Sequence, residues 1–92
     1  MYSIEYSKNS RNNLNEIFIY INNDNSLASI NVINNILNTI NYLKDFSNLG
    51  LKYKNGLRKL VNSKHKFTII YKIDEEKQTI IIVSIFKYKN TF

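Results

Sequence analysis

The spacing of the apolar residues changes once along this 92-residue chain, and that change restricts its fold more than any other feature. Between Leu14 and Leu43, apolar side chains recur every three to four residues, which is the period of an amphipathic helix. After Gly56 they alternate with polar residues or run continuously, as is typical of β-strands. Helices followed by a run of strands predict an α+β fold.

The first half predicts one short strand and two helices. Residues Tyr2–Tyr6 alternate between apolar and polar side chains, as in a half-buried strand. A first helix begins at Ser7 or Asn9, and Ser26 caps a second. Their apolar stripes are Leu14, Ile17, Phe18 and Ile21, then Ile33, Ile36, Leu37, Ile40 and Leu43. The short loop Asn22–Asn25 between the helices predicts an antiparallel hairpin.

The second half predicts three antiparallel strands after a loop over Ser47–Gly56. The strands are Leu57–Val61, Phe67–Ile73 and Thr79–Phe86, and the polar segment Asp74–Gln78 is a hairpin turn. The nearly all-apolar last strand indicates a central position that is buried on both faces. The predicted fold class is therefore α+β, in the order β-α-α-β-β-β, with a helical hairpin packed on a small, mainly antiparallel sheet.

Length and composition predict one domain over residues 1–92 and exclude several classes of site. The chain has no cysteine and one histidine, so neither a disulfide nor a cysteine or histidine metal cluster is expected, and no cofactor is predicted. The longest apolar stretch, Ile80–Phe86, is far shorter than the ~18 residues of a membrane-spanning helix. A cytoplasmic protein without membrane contact is expected.

The net charge of +6 is unevenly distributed along the chain. Between Gly50 and Ile73 there is no acidic residue, whereas the basic residues are Lys52, Lys54, Arg58, Lys59, Lys64, Lys66 and Lys72. Such a segment predicts a patch that binds a polyanion or an acidic protein. The alternative is an ordinary solvated lysine surface.

Six short motifs occur in order between Tyr2 and about Lys89. They are Tyr6-Ser7, Asn13–Ile17, Tyr20-Ile21, Leu43–Gly50, Gly56–Leu60 and Ile70–Ile73. Their order and spacing resemble the RelE/ParE superfamily, the small basic toxins of bacterial toxin–antitoxin pairs. Asn13 stands where that family usually has an acidic residue, and Ser47 where it usually has proline.

The resemblance implies one of two targets, because RelE-like members cut messenger RNA on the ribosome whereas ParE-like members poison DNA gyrase. The long first helix and the Gly56–Leu60 motif are nearer to ParE, so a gyrase-directed toxin that is not itself an enzyme is the first hypothesis. A ribosome-dependent endonuclease is the second, with Lys54, Arg58 and Tyr88 as catalytic candidates. The third is an inactive relic that binds only antitoxin, because Lys87 replaces a histidine frequent in the nucleases.

The expected contacts follow from the same resemblance. The candidate target-binding residues are Lys52, Lys54, Arg58, Lys59, Lys64, Lys66, Lys87 and Lys89. Arg58 either binds a phosphate or braces the sheet, and His65 is expected to be an exposed loop residue. The implied partners are an acidic antitoxin, in a hetero-oligomer with the toxin, and gyrase or, alternatively, the ribosome and messenger RNA. We expect the antitoxin to lie over the sheet or the helical hairpin and to approach the basic patch.

Overall fold

The computed structural model of the chain describes residues 1–87 and confirms the predicted α+β class. The two helices are α1 (Lys8–Asn22) and α2 (Ser26–Asn41), and a single 3-10 turn, Tyr42–Lys44, follows α2. The strands of this part of the chain are β1 (Ser3–Tyr6), β2 (Leu51–Lys52), β3 (Arg58–Asn62), β4 (Phe67–Asp74) and β5 (Thr79–Lys87). The predicted order of elements is confirmed, with β2 as an addition.

The five strands form one sheet in the order β1-β5-β4-β3-β2, in which only the β1–β5 pair is parallel. The first strand therefore joins the sheet beside the last. The prediction that β5 is buried on both faces was wrong. Ile80, Ile82 and Ile85 are buried, whereas Ile81 and Ser84 on the opposite face are only half-buried, because both helices cover the same side of the sheet.

The core lies between the helical hairpin and that covered face. Ile36, Ile40 and Leu43 have no exposed surface and pack with Ile69 and Tyr71 of the central strand β4. Burying such side chains stabilises the fold by about 1.5–3 kcal/mol each. The predicted stripe of α2 is shifted at its start, since Val32 is buried and Ile33 only half-buried. Leu14, Ile17 and Ile21 of α1 are half-buried and pack around the edge of the core.

Side-chain caps start both helices. Ser7 accepts a hydrogen bond from the Ser10 N–H at 3.0 Å, which confirms one of the two predicted starts of α1. The cap predicted for α2 was wrong by one residue: Asn25 accepts from the Ala28 N–H at 3.0 Å, and Ser26 is the first helical residue. Asn25 is the N-cap because its backbone is extended. Its amide oxygen is as good a capping acceptor as a serine hydroxyl.

Polar side chains at the start of α1 complete the edge of β5 where β1 ends. The carbonyl of Val83 accepts hydrogen bonds from Ser7 Oγ at 2.9 Å and from Asn9 Nδ2 at 3.2 Å. Asn13 Oδ1 accepts from the N–H of Ile85 at 2.9 Å. An amide oxygen at position 13 thus supplies the acceptor that an acidic residue would supply. The helix is thereby fixed against an irregular part of the sheet, where the β4–β5 register shifts.

The segment 47–56, predicted to be a loop, contains β2 and the turn of a short hairpin. Leu51 pairs with Lys59 and Lys52 with Arg58. The turn contains Asn55 at φ 58° and Gly56 at φ 75°, a left-handed pair that favours asparagine and glycine. Residues 51–62 are called the β2–β3 hairpin below. Its second strand begins one residue later than predicted.

Candidate functional site

The candidate target-binding residues that the structure describes lie in two groups at opposite ends of β3 rather than in one patch. Those of the β2–β3 hairpin, the hairpin group, are Lys52, Lys54, Arg58 and Lys59. Those around the β3–β4 turn, the turn group, are Lys64, Lys66 and Lys87. An extended strand rises about 3.3 Å per residue, so the ends of β3 are roughly 13 Å apart. Tyr88 and Lys89 lie outside the described residues.

Arg58 braces the sheet through a backbone contact. Its Nη1 donates to the Gly50 carbonyl at 2.6 Å. The buried hydroxyl of Tyr71 donates to the Ser47 carbonyl at 2.8 Å and accepts from the Gly50 N–H at 2.9 Å. Burial raises the pKa of Tyr71, and the Gly50 N–H and the Arg58 charge oppose that rise. These contacts, here called the Gly50 junction, hold the end of the helical segment against the base of the hairpin.

Glycine is required at position 50 by close packing. A Cβ atom there would lie 2.8 Å from Tyr71 Cε1 and 2.9 Å from the Lys59 carbonyl oxygen. Both distances are shorter than a normal carbon contact, and one neighbour is backbone. Gly50 therefore lets the chain pass close enough to β3 and β4 for Arg58 to reach its carbonyl.

Tyr53 lies beside two lysines of the hairpin group and was not predicted from the sequence. The ammonium groups of Lys54 and Lys59 each lie 5.5 Å from the centre of its ring. Its N–H donates to the Leu57 carbonyl at 2.9 Å, which holds it at the base of the turn. The Asn55-Gly56 pair is the sequence signal that could have identified Tyr53, because a hairpin turn at this pair brings Tyr53 close to Lys59.

The turn group surrounds a partly buried histidine. Lys87 Nζ donates to the His65 carbonyl at 2.8 Å and lies 4.9 Å from the centre of the Phe67 ring. Burial lowers the pKa of His65, and the charges of Lys64 and Lys87 lower it further. His65 is half-buried rather than exposed as expected. Because its pKa is lowered, the neutral form of its side chain is favoured.

Asn62 fixes the turn group to α2. Its side chain is 3% exposed, and its Nδ2 donates to Asn35 Oδ1 and to Thr39 Oγ1, each at 2.8 Å. Its Oδ1 accepts from the His65 N–H at 2.9 Å. This asparagine was also missed, because the chain is so rich in asparagine that residue type alone carries no signal.

An apolar groove of about 650 Å³ separates the helical hairpin from the turn group. Ile17, Tyr20 and Ile21 of α1 line it together with Val32 of α2 and Phe67 of β4. Its polar lining residues are Glu16, His65 and Lys87. Tyr20 is 77% exposed, so a large aromatic side chain is available to a ligand at this groove. A concave, mainly apolar surface with a few polar groups suits the apolar face of a protein segment.

Among residues 1–87, no group of three or more His, Cys, Asp or Glu side chains could hold a metal ion. Within the same range, no helix is long and apolar enough to cross a membrane.

Comparison with known proteins gives a family and several similar folds. The family model for the ParE toxin of the type II toxin–antitoxin system, parDE, matches residues 4–92. A structure of the chromosomal ParDE system from P. aeruginosa is similar at a TM-score of 0.82 and 17% identity, covering 97% of this chain and 98% of that chain. The RelBE2 complex from Mycobacterium tuberculosis gives a TM-score of 0.70 at 14% identity, with coverages of 95% and 91%. The isolated E. coli RelE toxin gives a TM-score of 0.66 at 10% identity, covering 99% of this chain and 88% of that chain. No curated protein matches the chain.

Proposed function

Because this chain belongs to the ParE toxin family, whose model matches residues 4–92, we propose that it arrests growth by binding DNA gyrase. It is the toxin component of a type II toxin–antitoxin system. On this proposal it is a single domain over residues 1–92, acts in the cytoplasm and is not itself an enzyme. It holds the topoisomerase at the stage at which the DNA is cleaved, with basic side chains contacting acidic protein or DNA.

The observation that carries a binding role, rather than catalysis, is the engagement of Arg58 at the Gly50 junction. Its Nη1 donates to the Gly50 backbone carbonyl at 2.6 Å, which gives this arginine a structural role. Cleavage of RNA needs one group that accepts a proton and another that donates one to the leaving oxygen. Charged lysine and arginine carry donors and no acceptor. His65, the one histidine of the chain, lies beside the turn group at the other end of β3.

We place the antitoxin contact at the apolar groove. Exposed Tyr20 and the apolar lining from both helices suit an amphipathic segment, and Lys87 beside the groove suits an acidic residue at its flank. Exchanging Tyr20 for serine should weaken antitoxin binding about tenfold or more, as expected for an aromatic anchor. The matched control is Tyr42→Ser, an exposed tyrosine that does not line the groove. Equal binding by both variants, measured by calorimetry, would place the antitoxin elsewhere.

The target is tested with two assays on the purified chain: supercoiling and DNA cleavage by gyrase, and cleavage of messenger RNA on programmed ribosomes. The proposal predicts loss of supercoiling with accumulation of cleaved DNA, and intact messenger RNA. Lys54→Gln should raise the concentration needed for half-inhibition of gyrase, because it removes a charge of the hairpin group. Lys77→Gln removes an exposed charge from the β4–β5 turn and should leave that concentration unchanged.

The other outcomes separate the alternatives. Cleavage of messenger RNA alone would replace the gyrase proposal with a ribosome-dependent nuclease and would return Lys54, Arg58 and Tyr88 to the catalytic candidates. Inactivity of folded protein in both assays, with antitoxin binding retained, would identify an inactive relic.

A further inference from the structure

Tyr53 is exposed beside two cations on the β2–β3 hairpin, an arrangement that gyrase binding alone does not require. The side chain is 39% exposed, and the ammonium groups of Lys54 and Lys59 each lie 5.5 Å from its ring centre. We infer that this hairpin binds single-stranded nucleic acid, with an unpaired base stacked on Tyr53 and adjacent phosphates held by Lys54 and Lys59. This contact is separate from the groove and is measured without gyrase.

The backbone holds the ring in place before any ligand arrives. The Tyr53 N–H donates to the Leu57 carbonyl at 2.9 Å, and the Leu57 N–H donates to the Lys54 carbonyl at 3.1 Å. The Gly50 junction braces the base of the same hairpin through Arg58. A tyrosine on a backbone that is already ordered loses little conformational freedom when a base stacks on it, so more of the stacking energy remains as affinity.

The shape of the hairpin favours a polymer over a free nucleotide. All residues from 51 to 56 are exposed, so they form a projecting turn rather than an enclosing pocket. A free nucleotide needs a concave site that buries most of its surface. A strand gains affinity instead from successive weak contacts, each phosphate meeting a different lysine. Lys52, Lys54 and Lys59 provide these charges, and no acidic residue occurs between Gly50 and Ile73 to oppose them.

The aromatic ring favours an unpaired strand over a duplex. In a duplex both faces of each base are covered by its neighbours, whereas an unpaired base offers a face to an aromatic side chain. Lysines alone would bind either form through phosphates. Dependence of the affinity on Tyr53 therefore distinguishes the two forms of nucleic acid.

The test is fluorescence anisotropy of the full chain with labelled oligo-dT, oligo-rU and a duplex, each over a series of salt concentrations. Tyr53→Ala should weaken binding of the single strands about 5- to 100-fold and leave duplex binding unchanged, while Tyr53→Phe retains most of the affinity. Tyr42→Ala, at another exposed tyrosine, should have no effect. Lys59→Gln should reduce the slope of log affinity against log salt by about 0.7, as expected for one lost phosphate contact on a single strand.

Binding of either single strand with this Tyr53 dependence supports the inference. Preference for oligo-dT would indicate unpaired DNA as the ligand, and preference for oligo-rU would indicate RNA. Equal affinities of Tyr53→Ala and the unmodified chain, or no single-strand binding at low salt, would overturn it. The gyrase proposal fails independently: a chain that binds oligonucleotides but leaves supercoiling intact retains this site and loses that target.

Discussion

Replacing Tyr71 by phenylalanine tests whether the Gly50 junction holds the two halves of the fold together. The substitution keeps the ring and removes one buried hydroxyl, which donates to the Ser47 carbonyl and accepts from the Gly50 N–H. Both backbone groups then lose their partner. Leaving the buried Gly50 N–H without a partner costs about 1–3 kcal/mol, and losing the hydrogen bond to the half-buried Ser47 carbonyl costs about 1 kcal/mol. The free energy of unfolding should therefore fall by roughly 2–4 kcal/mol.

That loss is large for a chain of this size. A stability of about 0.05–0.15 kcal/mol per residue gives roughly 5–14 kcal/mol in total for 92 residues. At about 4–8 °C per kcal/mol, the midpoint of thermal unfolding should fall by roughly 10–30 °C. Urea unfolding followed by circular dichroism measures the change. The control is Tyr42→Phe, whose side chain is 60% exposed.

Tyr42→Phe should remain within about 0.5 kcal/mol of the unmodified chain, as is usual for surface substitutions. A change of similar size for Tyr71→Phe would refute the reasoning. It would mean that solvent satisfies the two backbone groups as well as the hydroxyl does, and that the junction contributes nothing to stability.

Three other substitutions test neighbouring contacts. Gly50→Ala should destabilise by about 1–3 kcal/mol in urea unfolding, because its Cβ overlaps the Tyr71 ring; unchanged stability would show that the junction is loose. Asn62→Ala should cost about 1–3 kcal/mol and increase amide hydrogen exchange in the β3–β4 turn, and protection equal to the unmodified chain would contradict its anchoring role. Since the pKa of His65 is lowered from 6.5, the unfolded chain binds more protons just below that pH, and stability should fall as the pH drops through this range. His65→Gln should remove that part of the pH dependence, and an identical pH profile for both proteins would exclude His65 as its source.

The helical hairpin and the long strands were predictable because each repeats its apolar pattern over several turns or residues. β2 was not, since its two residues are too few for a period to be recognised. The cap of α2 was misplaced because Asn25 and Ser26 are both good caps, and only the extended backbone of Asn25 distinguishes them.

The candidate site was less predictable than the fold because its parts come from distant segments. Charge density along the sequence indicated one basic patch, but β3 is extended and places its two ends far apart. Arg58 was assigned two equal roles from residue type, and its contact with Gly50 supports bracing. The apolar groove combines residues of α1, α2, the β3–β4 turn, β4 and β5, so no local pattern could reveal it.

The sequence by itself determined the α+β class, the order of the main elements, the excess of positive charge and the toxin family, because these depend on local periodicity, composition and short motifs. Only the tertiary structure decided which strand lies beside which, that α1 completes the edge of β5, and that Tyr53 lies close to two lysines. Those features depend on distances between residues far apart in the chain, and such distances are set by packing of the whole core rather than by any local pattern.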